Sequence, residues 1–261
     1  MMQLNFILLA SAFFAYCDSL AILDKMEKKC SASDDECVKG VYKNFIQEAA
    51  DNGIPELDIP KADPFIIKDM EVEALGMVKL TVKEGVIEGF KNCEPTESKV
   101  DLAAQRHTLS ILCQRIAVES TYKLESTPTL LQLIGGINIH GEGKGGAVFE
   151  QVILNFDFGF EFKKMADGEV YIQIKPDDTE ESFEVKGQAS VHADSIFAGK
   201  QEISTVLVNI FNENWEFFTN NFGKTVIDNA AGLFIEHAQT LLNKIPVKDL
   251  ISDDVSAYVK S

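Results

Sequence analysis

Positive charge is what this sequence lacks most. Its 24 Lys and Arg stand against 41 Asp and Glu, a formal net charge of −17 over 261 residues. No stretch is rich in Lys or Arg, so a phosphate backbone or an anionic lipid surface would find no basic patch, and nucleic acid is excluded as a partner. An acidic chain of this kind suits solubility in an extracellular fluid. Long apolar runs are scarce as well. A membrane span needs about 20 apolar residues, and after residue 19 charged or polar residues cut every candidate, so no stable membrane insertion is expected. Cysteine stops at Cys113, and histidine occurs only as His107, His140, His192 and His237.

The one nearly unbroken apolar run, Asn5 to Tyr16, lies at the start and is too short for an anchor. Small residues Cys17 and Ser19 stand at −3 and −1 before Leu20. This is the pattern of a secretory signal peptide, although its first residues lack the usual Lys or Arg. Residues 1–19 are therefore expected to be a signal, and residues 20–261 a single secreted domain.

The signatures of known chemistries are also missing. Gly141, Gly143 and Gly146 in "GINIHGEGKGGAVFE" match the letters of a dinucleotide-binding G-x-G-x-x-G. That turn needs a helix after it to receive the pyrophosphate, whereas "AVFEQVILNFDFGFEF" reads as a strand. A P-loop fails because Lys144 is followed by Gly145. A glycine-rich turn between two strands, "LLQLIGGINIH" and the one that follows, is the expectation. Ser190, His192 and Asp194 supply the letters of a catalytic triad, but alternate strand residues stand roughly 6.5–7 Å apart, too far for nucleophile–base contact. Neither G-x-S-x-G nor H-E-x-x-H occurs, and the cysteine and histidine spacings match no zinc site. No cofactor, metal or enzymatic activity is expected.

Four cysteines outlast the signal, an even number in an oxidising compartment. A Cys30–Cys37 bridge would staple the incoming chain to a first helical turn, for which Ser33 and Glu36 have capping-box spacing. Cys93 and Cys113 could pair across neighbouring strands or stay free. Val38, Val41, Tyr42, Phe45, Ile46 and Ala49 then trace one face of a helix that ends at Asn52-Gly53. The proline-rich "GIPELDIPKADPF" must be irregular. From Ile66 to about Phe197 the texture is strand-like, with acidic runs such as "DDTEES" read as solvated turns and Asp167-Gly168 as a hairpin turn. In "NFDFGFEF", Phe156, Phe158, Phe160 and Phe162 share one face of a strand. Residues 203–244 read as one long apolar-faced helix, with Gly223 the place for a kink and Pro246 the stop. The fold class is α+β: a strongly curved antiparallel sheet wrapped around a long C-terminal helix. An apolar sheet face covered by only one helix leaves room for a hydrophobic guest.

Several segments together resemble the insect takeout and juvenile-hormone-binding protein family. They are Cys30-x6-Cys37 with "GIPELDIPKADPF", then "YKLESTPTLLQLIGGINIHGEGKGG", "NIFNENWEFF" and "NKIPVKDLI". The resemblance runs from Cys30 to about Asp253. It implies a bactericidal/permeability-increasing-like lipid-binding architecture, a Cys30–Cys37 disulfide, and a secreted carrier of elongated hydrophobic ligands in haemolymph or a similar fluid. It also implies a place in feeding, circadian or chemosensory physiology. The family's hormone carriers look to have a second disulfide reaching the long helix. No cysteine follows Cys113 here, which favours the takeout branch. "HADSIFAGK" lacks the Asn-Gly expected before the long helix, so the local turn should differ.

The expected partner is a hydrophobic small molecule, a terpenoid such as juvenile hormone or a fatty-acid-like chain, with an unidentified receptor as a further partner and the protein a monomer. Phe156, Phe158, Phe160, Phe211, Phe218 and Phe222 are the candidates to line an internal tunnel. The alternative is a secreted signalling protein with a filled core that acts through its surface.

Overall fold

The computed structural model describes residues 29–55, 59–74 and 76–260, without the side chains of 74, 222–231, 233, 234 and 260. The expected signal, residues 1–19, therefore lies outside the described residues.

Helix α1 (Asp35–Asp51) opens the fold. Its cap is Asp34, whose carboxylate accepts from the Cys37 amide at 3.0 Å, rather than the Ser33 of the expected capping box. Gly53, at φ +70°, turns the chain out of the helix, and a side chain there would collide with the backbone of Ile59–Lys61. The strands follow: β1 (Phe65–Ala74), β2 (Val78–Glu88), β3 (Cys93–Asp101), β4 (Arg106–Ser126), β5 (Ile139–Lys164), β6 (Val170–Val185), β7 (Ala189–Ala193), β8 (Ile196–Ala198), β9 (Gln201–Glu202) and β10 (Val259–Lys260). All join one curved sheet, antiparallel except for β10, which runs parallel to β5. Strands β4 and β5 pair with each other from Arg106↔Gly159 to Glu125↔His140. Along its other edge β4 meets β3 and then β2, and β5 meets β8, β7 and β6 in turn.

Several sequence expectations are corrected here. The glycine run is not a turn: Gly141, Gly143, Gly145 and Gly146 lie inside β5. They are glycine because neighbouring strands leave no room for a Cβ, which at Gly146 would meet the Val118 carbonyl and at Gly143 the Asp194 carboxylate. The chain reverses earlier, at Gly135 and Gly136, after a short helix α2 (Pro128–Leu133) formed by "PTLLQL". "DDTEES" is not a turn either. It lies inside β6, where Thr179 to Ser182 pair with Phe158 to Asn155 of β5, and Asp177, Asp178 and Glu180 are exposed. The hairpin turn at Asp167-Gly168 stands where expected.

The long helix is two helices. Helix α3 (Ser204–Glu213) ends at Asn214, which leaves helical geometry at φ −124°, ψ 29°, and α4 (Trp215–Leu242) follows without a break at Gly223. The Asn214 side chain donates to the Ile210 carbonyl at 2.8 Å and its backbone amide to Phe211, so local hydrogen bonds outcompete continuation of the helix. Asn212, two residues earlier, accepts from the Val191 amide at 2.8 Å and donates to the Val191 carbonyl at 3.0 Å. The "NEN" motif thus docks α3 on the edge of β7 and separates it from α4. A last helix, α5 (Val247–Leu250), completes the element order.

Asn212→Leu should leave both Val191 backbone groups unpaired and lower the unfolding free energy by about 1–3 kcal/mol, as read by urea denaturation. Cys93 and Cys113 face each other across β3 and β4 and are disulfide-bonded, both buried. Replacing both with Ala should lower stability by about 3 kcal/mol in the same assay.

Candidate ligand-binding site

The spacing of α1 places Val38, Val41, Tyr42 and Phe45 on one stripe. The period of β5 places Phe158, Phe160 and Phe162 on the face beneath it. Between them lies a cavity of about 150 Å³. Ile172 and Ile174 of β6 extend its floor, and Ala238, Leu241 and Leu242 from the last turns of α4 close it from the side. The remaining wall is where the two ends of the described chain meet. Cys30 donates to the Leu250 carbonyl at 3.3 Å and accepts from Ser252 at 2.9 Å, while Asp253 accepts from Ala32 at 2.7 Å. The Cys30–Cys37 disulfide ties this clasp to the first turn of α1.

Among the described residues that line the cavity there is no Asp, Glu, Lys or Arg. Its polar side chains are Tyr42 and His107. The Tyr42 hydroxyl lies 3.3 Å from His107 Nδ1, and His107 Nε2 lies 2.9 Å from the Ser98 hydroxyl. His107 also meets Phe158 edge-on, with ring centroids 4.9 Å apart. Burial pushes the imidazole pKa down to about 4, against a smaller opposite pull from Asp157, so the ring is neutral at physiological pH. Burial pushes the Tyr42 phenol upward.

A larger depression, about 480 Å³, lies where β4, β5 and β8 come together. It is open to solvent and bordered by Lys123, Glu125, His140 and Glu142, a setting unsuited to an apolar chain. The triad letters remain apart in function. His192 faces Glu119 at 3.1 Å on the exposed surface, and Asp194 accepts from the Lys144 amide at 2.9 Å. Among the described residues no cluster of His, Cys, Asp or Glu could hold a metal, and no helix is long and apolar enough to cross a membrane.

The six candidate phenylalanines separate into groups. Phe158 and Phe160 line the cavity, whereas Phe156 packs in the adjoining core with Leu109 and Ile111. Phe211 and Phe218 stack on each other at 5.0 Å where α3 meets α4, and neither borders the cavity. The Phe222 side chain lies outside the described residues. Sequence reasoning missed the contribution of α1, although its stripe was visible, and missed His107. The alternation His107, Leu109, Ile111, Cys113 along β4, all buried, is the signal that would have turned that histidine inward.

His107 makes the protein sensitive to acid. Below about pH 6.5 the unfolded chain takes up a proton on this residue that the folded protein accepts only near pH 4. Its contribution to stability is therefore fully present above pH 6.5 and is lost as pH falls toward 4, by about 3 kcal/mol in total. His107→Gln should remove that part of the pH dependence. Urea unfolding of both proteins across this window checks it.

The comparisons with known proteins bear on this geometry. The family model described as haemolymph juvenile hormone binding protein matches residues 7–252. Among solved structures, that of Epiphyas postvittana takeout 1 matches with a TM-score of 0.73 at 21% identity, covering 86% of this chain and 99% of that one. A lipopolysaccharide binding protein matches at a TM-score of 0.36 and 16% identity, covering 81% of this chain and 38% of that one. A search of curated proteins returns no match. The takeout likeness establishes the fold, and the family match spans nearly the whole sequence: this chain belongs to the haemolymph juvenile hormone binding protein family, a family of binding proteins and not of enzymes.

Proposed function

We propose that this protein is a secreted carrier that holds one elongated hydrophobic molecule, a terpenoid such as juvenile hormone or a fatty-acid-like chain, between its curved sheet and α4. The observation that carries the reading is the cavity above β5, enclosed by apolar side chains with no formal charge on its wall, in a chain whose family is named for binding such a hormone. The acidic composition, the signal-like first 19 residues and the two disulfides support secretion. The domain responsible is residues 20–261, acting as a monomer.

Volume sets the geometry of the bound state. A cavity of about 150 Å³ is the size that takes one benzene ring, while drug-sized ligands occupy about 300–1,000 Å³. An elongated ligand therefore extends beyond this space. Helix α4 packs along β6 and β7, the strands that flank β5. The ligand would run beneath it, one end among Phe158, Phe160 and Phe162 and the other toward Phe211, Phe218 and Phe222. Burial contributes about 0.8 kcal/mol per CH₂, so a dozen carbons give of order 10 kcal/mol before association and ordering costs. Micromolar to nanomolar affinity follows.

Native mass spectrometry tests this. Offered farnesol or palmitic acid, the disulfide-intact protein should gain one adduct per chain, and Phe158→Asp should lose it while keeping its circular dichroism spectrum. A mass that stays free of every offered terpenoid and fatty acid would overturn the carrier reading. The surface reading would then stand, and its docking face would be the exposed Val206, Ile210 and Phe217 of α3 and α4.

A further inference from the structure

Tyr42, His107 and Ser98 form a hydrogen-bonded row, half-buried at Tyr42 and buried at His107 and Ser98, and its proton count is informative. Ser98 is 1% exposed, and among the described residues its hydroxyl has His107 Nε2 as its hydrogen-bond partner. If Ser98 accepted from His107, its own hydrogen would be stranded in the core, a loss of about 1–3 kcal/mol. If Ser98 donates instead, Nε2 is the acceptor and the imidazole proton sits on Nδ1, where it is given to the Tyr42 oxygen at 3.3 Å. The row then ends with one unspent donor, the Tyr42 O–H. Tyr42 and His107 both belong to the cavity wall, and among the described residues no other lining side chain carries an N–H or O–H group. A buried, unspent hydroxyl in an otherwise apolar cavity is where a ligand oxygen would be recognised.

We propose that Tyr42, positioned by His107 and Ser98, is the polar anchor of the cavity and selects apolar ligands that end in an uncharged hydrogen-bond-accepting oxygen, such as an ester or ketone, over the corresponding carboxylates. The inference rests on the carrier reading above. An ester or ketone oxygen accepts the Tyr42 proton and carries no charge into the core. A carboxylate has no Lys or Arg on the wall to meet it, and His107 is neutral there, so it would enter only after taking up a proton.

The experiment uses decane, methyl decanoate and decanoate as competitors for a bound fluorescent apolar probe at pH 7.4, with the wild type, Tyr42→Phe and Ser98→Ala. The wild type should prefer methyl decanoate to decanoate by roughly a hundredfold. Tyr42→Phe should weaken the ester about tenfold, the worth of one hydrogen bond, and leave decane unchanged. Ser98→Ala, which frees the imidazole to reverse its tautomer, should weaken the ester without weakening decane. The infrared carbonyl band of carbon-13-labelled methyl decanoate should shift down when bound to the wild type and return in Tyr42→Phe. That band reads the hydrogen bond directly, and the wild-type spectrum alone decides the matter if a variant does not fold. An unshifted carbonyl, or equal losses of ester and decane in Tyr42→Phe, would overturn the anchor while leaving the carrier intact. Failure of the wild type to bind the probe or any of the three competitors would overturn the carrier reading itself.

Discussion

The ladder between β4 and β5 carries the rest of the molecule. Both strands are far longer than the roughly 5–6 residues usual for a strand, and they stay in one register from Arg106↔Gly159 to Glu125↔His140. Over such a length the natural right-handed twist accumulates, and the sheet curls until one helix can lie along it. Every other strand but β1 and β9 takes its place from an edge of this pair. The glycines of β5 belong to the same constraint: they let Val118, His192 and Asp194 crowd against a strand that must pass between them. At Gln151, left-handed at φ 52°, β5 bends as its outer partner changes from β7 to β6.

Most charge is kept outside this frame; among the described residues the exception is buried Asp63, which accepts from the backbone amides of Gly89 at 3.1 Å and Lys91 at 2.9 Å. The ion pairs, among them Arg106 with Asp157 and Asp178, lie on the surface or near it, where each contributes about 0–1 kcal/mol. Stability comes instead from apolar packing, such as Phe162 at 0% exposure, and from two disulfides, one across β3 and β4 and one at the first turn of α1. Inside, the three polar groups of Tyr42, His107 and Ser98 satisfy one another and leave a single proton over. A cavity so poor in polar groups would discriminate among guests chiefly by shape and by the one oxygen it could meet.

Much of this was readable from residue order. The phenylalanine alternation of β5, the stripe of α1 and the Asp167-Gly168 turn follow from local periodicity and turn chemistry, which act over a few residues. The misreadings share a cause. "DDTEES" looks like a loop by composition, yet β5 offers it a partner and its acids have a wet face to occupy. The glycine run looks like a turn, yet the close approach of two other strands demands it. Asn214 ends a helix that periodicity would continue, because its side chain reaches back to Ile210. In the site, the cavity forms among residues far apart in the sequence, such as Tyr42, Phe158 and Leu241. No local pattern reports such a meeting.

The clasp between Cys30 and residues 250–252 closes a loop spanning more than two hundred residues. Loops of this length are slow to close, and contacts across them form late. The cavity wall at that end is therefore the final piece to be put in place, after the last strand has left the ribosome and after Cys30 has found Cys37. A guest that needs the finished wall cannot be taken up during synthesis. A wall so built is complete only once the whole chain has folded and the Cys30–Cys37 bond has formed.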